Sequence, residues 1–201
     1  VAMLANLGAN YLVSGKTPGR AGNAHQNIVP YQVFEVKAPP HAAAGSRDHL
    51  ILAVGNDGQY AKFCDVAGHP ELASDVRFAK NTDRVKNRAI LVPLLEQIML
   101  NRTKADWLSA LEAAKVPCGA INNLSEVFAD PQVAARNMVS TWQHPHQKDL
   151  KLVASPLKLS RTPVRQDHVP PQLGQHTSQL LEEVLGYSAA QIEQLKNKGV
   201  I

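Results

Sequence analysis

Gly19-Arg20-Ala21-Gly22-Asn23-Ala24-His25-Gln26-Asn27-Ile28-Val29-Pro30-Tyr31-Gln32-Val33-Phe34 is the stretch on which the fold turns. Its first part is small and polar, above all Gly22 to Asn27, and predicts a loop. Val29 to Lys37 then predicts a strand, with Tyr31, Val33 and Glu35 on one parity and Gln32, Phe34 and Val36 on the other. Upstream, Leu4, Leu7, Tyr11 and Leu12 recur at spacings near three and four, which predicts a helix over 1 to 15. Gly15 and Thr17-Pro18-Gly19 stop it. Ligand-facing residues commonly stand in loops between a helix and a strand, which draws attention to His25.

Downstream, His49 to Gly55 predicts a second strand. The connector Ala38 to Arg47 is rich in Pro, Ala and Gly and exceeds the roughly two to five residues of ordinary hairpin loops, which predicts a long, mobile link. Gly58 to Ala67 reads as a short helix with Tyr60, Phe63 and Cys64 on one side. Asn81 to Asn101 carries the stripe Ile90, Leu91, Leu94, Leu95, Ile98 and Met99, and Pro93 within it predicts a kink or a join. Thr103-Lys104-Ala105-Asp106 predicts a capped start for a helix with Trp107, Leu108 and Leu111, which Val116-Pro117-Cys118-Gly119 ends. Ser125 predicts the cap of a helix running through Phe128, Val133 and Asn137. Val139 to His144 and Leu150 to Ala154 predict an antiparallel pair around the turn His146-Gln147-Lys148-Asp149. A proline-punctuated tail, Pro156 to Pro171, is the best sequence candidate for a domain boundary. Helices over Thr177 to Leu185 and Ser188 to Lys198 follow, the second opened by the box Ser188-Ala189-Ala190-Gln191.

Composition narrows the class. The chain has 201 residues, 44% hydrophobic and 19% charged, enough apolar material for one substantial core or two small ones. No apolar run approaches the roughly 18 residues of a membrane helix, so no membrane partner is expected. Cys64 and Cys118 are too few for a disulfide scaffold, and a reducing, cytoplasmic setting is the economical reading. The net charge of +4 is mild, and aromatics are only 5%, which argues against a nucleic-acid partner. The densest basic run, Arg77, Lys80, Arg84, Lys86 and Arg88, reads as a solvated helix face diluted by Asp75 and Asp83. The chain opens Val1-Ala2-Met3-Leu4 already in helical rhythm and without an initiator methionine, and so reads as entered in mid-element.

Candidate chemistry is sparse. His144 and His146 form an H-x-H pair, but a metal needs further ligands and only Asp149 is near, so no metal site is expected. His176, at a helix start, reads as a cap or surface residue. Cys118 has no histidine partner in sequence to make a thiolate nucleophile. Gly55-Asn56-Asp57-Gly58-Gln59 reads as a turn and helix cap rather than a phosphate cradle. For the Gly22 to Asn27 loop, a structural and a ligand-facing role both stand.

The Gly19 to Phe34 stretch resembles the loop-and-strand motif of the family III coenzyme A transferases, the CaiB/BaiF group. Further landmarks occur in the family's order. Leu52-Ala53-Val54-Gly55-Asn56-Asp57 resembles the next strand and turn, and Asn81-Thr82-Asp83-Arg84-Val85-Lys86-Asn87-Arg88 the N-x-x-R-V-x-N-R helix entry. Val116 to Asn122 resembles the V-P-x-G-x-x-N turn. Asp130-Pro131-Gln132-Val133 with Arg136-Asn137-Met138, and Leu173-Gly174-Gln175-His176-Thr177 with Leu185-Gly186-Tyr187-Ser188, resemble the C-terminal portion.

The resemblance implies an α+β fold: a small domain of antiparallel strands and several helices over 1–115, then a linker, hairpin and C-terminal helices over 116–201 returning toward a large domain. It implies transfer of coenzyme A from an acyl-CoA to a carboxylate through an aspartate nucleophile, with acyl-CoA as substrate, no permanently bound cofactor, and an interlocked homodimer. The matching part of the family lacks the nucleophile region, so no residue here is a catalytic candidate and the chain alone is expected to be inactive. What carries over is the loop Gly22, Asn23, Ala24, His25, Gln26 and Asn27, which aligns with a mobile loop that closes over the active site. A stand-alone oligomerisation module and part of a related acyl-CoA racemase are the competing readings.

Overall fold

A computed structural model describes residues 1–43, 45–165 and 167–201. The connector residue Ala44 and the tail residue Gln166 lie outside the described residues. The chain forms two compact units, Val1–Asn123 and Leu124–Ile201.

The first unit opens with a short 3-10 turn at Ala2–Leu4 and helix α1 (Ala5–Ser14), closed by Gly15 in the left-handed region at φ 70°. Strands β1 (Tyr31–Val36) and β2 (Asp48–Ala53) pair antiparallel, with Phe34 opposite Leu50 and Gln32 opposite Leu52. The two-residue alternation puts Phe34, Val36, Leu50 and Leu52 on one face, where all four are buried. Helices α2 (Asp57–Ala67), α3 (Glu71–Ser74), α4 (Asn81–Lys86), α5 (Arg88–Met99) and α6 (Lys104–Ala113) follow. Tyr60, Phe63 and Cys64 of α2, Leu91, Leu95 and Met99 of α5, and Trp107 and Leu111 of α6 join that face in one core.

Two local readings change. The expected single helix over 81–101 is two helices. It breaks at Asn87, not at Pro93, because the Asn87 amide donates to the carbonyls of Arg77 and Asp83 and competes with the helical ladder. Pro93 sits on the exposed face of α5, where water can take the carbonyl it leaves unpaired. Second, Val116-Pro117-Cys118-Gly119 does more than end a helix. It leads into strand β3 (Cys118–Ile121), which completes an antiparallel sheet of order β1-β2-β3. Gly119 gives Ile51 room there, since a Cβ would stand 3.3 Å from the Ile51 methyl across the ladder, tighter than ordinary contact. The two compact units divide after Asn123, with residues 116–123 in the first.

In the second unit, Ser125 lies inside α7 (Leu124–Ala129) rather than capping it. The run divides at Asp130, whose carboxylate accepts from the Gln132 N–H at 2.7 Å and opens α8 (Pro131–Ala135). Strands β4 (Val139–His144) and β5 (Gln147–Val153) pair around Pro145-His146, so the expected turn residues Gln147 to Asp149 belong to β5. Helices α9 (Thr177–Glu183) and α10 (Ala189–Asn197) end the chain. Ser188 and Gln191 make the reciprocal box expected of them. Among the described residues after Asn123, Ile192 is the only buried apolar residue.

Candidate functional site

The loop between α1 and β1 is fixed by its own residues first. Gly22 has φ 60°, a conformation that side chains disfavour, and turns the chain. The Ala24 N–H closes onto the Ala21 carbonyl at 3.0 Å, and the His25 N–H donates to the Tyr31 carbonyl at 2.9 Å. The Asn23 side-chain oxygen accepts from the Val33 N–H at 2.9 Å, tying the loop to the open edge of β1. The imidazole of His25 packs edge-on to the Tyr31 ring at 5.4 Å and accepts from the Asn27 N–H at Nδ1. From α1, Asn10 exchanges two side-chain hydrogen bonds with Asn27, at 2.9 and 3.0 Å.

The other half of the grip comes from the Asn81 to Arg88 segment. The Asn81 side chain donates to the Asn27 carbonyl and accepts from the Val29 N–H, so one amide satisfies two backbone groups. Arg84 is completely buried. Its guanidinium donates to the carbonyls of Val29 (2.6 Å), Phe78 (2.8 Å) and Ala79 (3.2 Å), pairs with Asp57 at 2.9 Å, and stacks over the Tyr60 ring at 4.2 Å. Arg88 donates to the carbonyls of His25 and Gln26. Burial of Asp57 would raise its pKa. Hydrogen bonds from Arg84 and the Asn81 N–H, with the charges of Arg84 and Lys80, outweigh that and hold the carboxyl below its usual range. Burial pushes the pKa of the Tyr60 hydroxyl up. Burial likewise pushes the Cys64 thiol up to about 11, which makes it inert as a nucleophile.

The basic run is a solvated face at Arg77, Lys80 and Lys86, which are exposed, but not at Arg84 and Arg88. Arg84 is buried and Arg88 half-buried because each meets backbone carbonyls from the loop. In the sequence the N-x-x-R-V-x-N-R motif reads only as a helix entry. Asn10, Asn81 and Arg84 carried no chemical signal there, since their partners lie far away in sequence. Gly55 to Gln59 is a turn and cap as expected: Asn56 accepts from the Gln59 N–H, and the Gln59 side chain accepts from the Gly55 N–H.

Two depressions flank the loop. One, of about 330 Å³, lies between α1 and the loop and is lined by Asn6, Leu7, Gly22, His25 and Gln26. The other, of about 500 Å³, is lined by Arg20, Gln26, Asn27 and Arg88. Elsewhere, His144 and His146 stand 5.8 Å apart, with the His146 N–H on Nδ1 of His144, while Asp149 takes a bond from Gln143. Among the described residues no group of three or more His, Cys, Asp or Glu is placed to hold a metal, and no helix is long and apolar enough to cross a membrane.

Residues 1–177, which include the loop and everything that grips it, match the family model described as CoA-transferase family III. The chain belongs to that family. It is 39% identical over 183 residues to the succinate–glutarate CoA-transferase of Agrobacterium fabrum, covering 91% of this chain and 44% of that protein. It is 36% identical to the succinyl-CoA:glutarate CoA-transferase of Mus musculus, over the whole of this chain and 44% of that one. Among solved structures, a CaiB/BaiF family protein from Brucella suis superposes with a TM-score of 0.72 at 40% identity, over 90% of this chain and 44% of its own length. The mixture of helices and antiparallel strands is thus the fold of this family over part of its length. The chain spans less than half the length of these relatives.

Replacing Arg84 by Met, close in length but without donors, leaves the carbonyls of Val29, Phe78 and Ala79 unpaired in the interior. The expected loss is about 3 kcal/mol or more. A urea midpoint within experimental error of wild type would refute this. Asp57 contributes in a pH-dependent way. Because its folded pKa is depressed, its stabilisation is complete above the unfolded value of 3.8 and is lost as pH falls through the folded one. The stability gap between wild type and Asp57→Asn should therefore narrow steadily below pH 3.8, measured by urea unfolding at a series of pH values. A constant gap would show that charge is not what Asp57 supplies.

Proposed function

We propose that this chain provides the loop-bearing region of an enzyme that moves coenzyme A from an acyl-CoA to a free carboxylate, with dicarboxylates of the succinate and glutarate class as donor and acceptor. The observation that carries the proposal is the built loop. Asn23, His25, Gln26 and Asn27 are held on a rigid frame beside open depressions, as a surface that orients an acyl group requires. The substrate class is supported by relatives at 34–39% identity whose names specify succinate or succinyl-CoA with glutarate. The exchange is balanced in itself: one thioester is broken and one formed, and the carboxylate released replaces the one consumed. Coenzyme A thioesters are substrates in this reading, no cofactor is permanently bound, and the setting is cytoplasmic.

No aspartate of this chain is proposed as the nucleophile. Asp57 is engaged by Arg84, Asp48 by Lys104 at 2.9 Å, Asp75 by Arg77, and Asp130 caps α8. The polypeptide expressed from the full open reading frame should convert succinyl-CoA and glutarate to glutaryl-CoA, while the 201-residue chain alone exchanges no coenzyme A. Mass spectrometry of the thioesters reads both. Failure of the full product to exchange coenzyme A with any dicarboxylate would refute the activity. Loss of an α-deuteron from an acyl-CoA without exchange would point to the racemase class instead.

We also propose that the chain self-associates. Leu12 and Val13 of α1 are 82% and 90% exposed, and Leu4, Leu7 and Tyr11 are exposed too, an apolar surface that water disfavours. Light scattering should give a mass above the monomer's 21.8 kDa. A monodisperse monomer at micromolar concentration would count against it.

A further inference from the structure

One guanidinium nitrogen of Arg88 donates to two successive backbone carbonyls, His25 at 2.7 Å and Gln26 at 2.8 Å. Turning both carbonyls toward one cation tightens the chain after His25. In that tight turn the Asn27 N–H comes back onto Nδ1 of the His25 ring, 3.0 Å away. The His25 N–H is meanwhile held by the Tyr31 carbonyl, and the ring lies against Tyr31, so the imidazole has little freedom to rotate. An imidazole nitrogen that accepts a hydrogen bond carries no proton, which leaves the ring proton on Nε2. His25 is one of the residues lining the depression between α1 and the loop. With Nδ1 engaged by the Asn27 N–H, its ring is left with a donor and no acceptor to offer a ligand.

We propose that Arg88 is a positioning residue that fixes His25 as the Nε2–H tautomer, so that the loop presents a hydrogen-bond donor to a carbonyl or carboxylate oxygen of the acyl group rather than a base. The use of that donor rests on the function proposed above; the coupling of Arg88 to the tautomer does not. Arginine suits the task because its planar fork keeps a fixed direction toward both carbonyls, whereas a lysine ammonium rotates. A lysine should therefore restore the effect only in part.

Two measurements separate the claims. In the ¹⁵N-labelled 201-residue chain at pH 8, the His25 ring should show a protonated Nε2 and an unprotonated Nδ1. Arg88→Gln should move both nitrogen shifts toward a tautomer average, and Arg88→Lys should lie between. A folded Arg88→Gln protein that keeps the wild-type shifts overturns the coupling. Loss of folding in both variants overturns it too, since Arg88 would then be a residue of general stability. In the full open-reading-frame product, Arg88→Gln should lower kcat about tenfold or more with KM within about twofold, because a misdirected donor weakens the transition state more than binding. If the tautomer shifts but kcat does not, the coupling stands and the loop's place at the reacting acyl group fails.

Discussion

The buried guanidinium of Arg84 is the constraint around which the first unit is assembled. A cation with no solvent contact is tolerated only where its donors are met. Here the carbonyls of Val29, Phe78 and Ala79 and the carboxylate of Asp57 meet them. Those partners belong to the approach to β1, the turn before α4 and the start of α2. One side chain thus joins three segments that share no ladder, and it does so while stacking on Tyr60 above the apolar core. Asn81 lies three residues before it on α4, a spacing that brings side chains to one side of a helix, and Arg88 opens α5 just beyond the break at Asn87. The same segment that anchors the core therefore reaches the loop backbone.

How much of this was legible depended on where a residue's partners lie. The β1 and β2 strands were readable because alternation is local: Phe34 and Val36, Leu50 and Leu52 announce a buried face without any knowledge of what covers it. The capping of α6 and α10 by Thr103 and Ser188 was readable for the same reason, since the partner stands three residues away. β3 was not, because Cys118 to Ile121 is too short and too mixed to show a period, and it is a strand only because β2 offers it an edge. Arg84 was misread for a related reason. Its carbonyl partner at Val29 is 55 residues distant, and a charged residue in a charged run gives no sign that it turns inward. The loop residues Gly22 to Asn27 could be singled out by composition and by resemblance, but not the frame that holds them.

The two units differ in how far they satisfy themselves. The first closes a core of aromatic and aliphatic side chains from the sheet and from helices α2, α5 and α6. The second does not: along β4 the residues alternate only between exposed and half-buried, and Leu157, Leu159 and Leu173 are exposed. A hairpin and short helices with so little buried surface gain little from the hydrophobic effect against the entropy of ordering them. The local devices found there, the Asp130 cap, the Ser188–Gln191 box and the β4–β5 ladder, specify conformation more than they supply stability. The first unit alone has the rigidity that a precisely held loop demands.

That rigidity bears on how the loop can work. If it is to close over a bound acyl group by peeling away from its seat, it must first release the two charge-assisted bonds to Arg88 and the amide pairs with Asn10 and Asn81. Even discounted for partial exposure, these amount to about 3 kcal/mol, which leaves fewer than about one molecule in a hundred open at equilibrium. Motion about Gly15 and Gly22, whose positive φ values mark the bends on either side of Lys16 to Ala21, leaves those bonds intact. Residues 16–21, ahead of the loop, are exposed and make none of those bonds, while Asn23 to Asn27 hold their donors and acceptors in place. Under the proposed function, an acyl group would meet a fixed polar surface, an arrangement in which orientation is settled before it arrives.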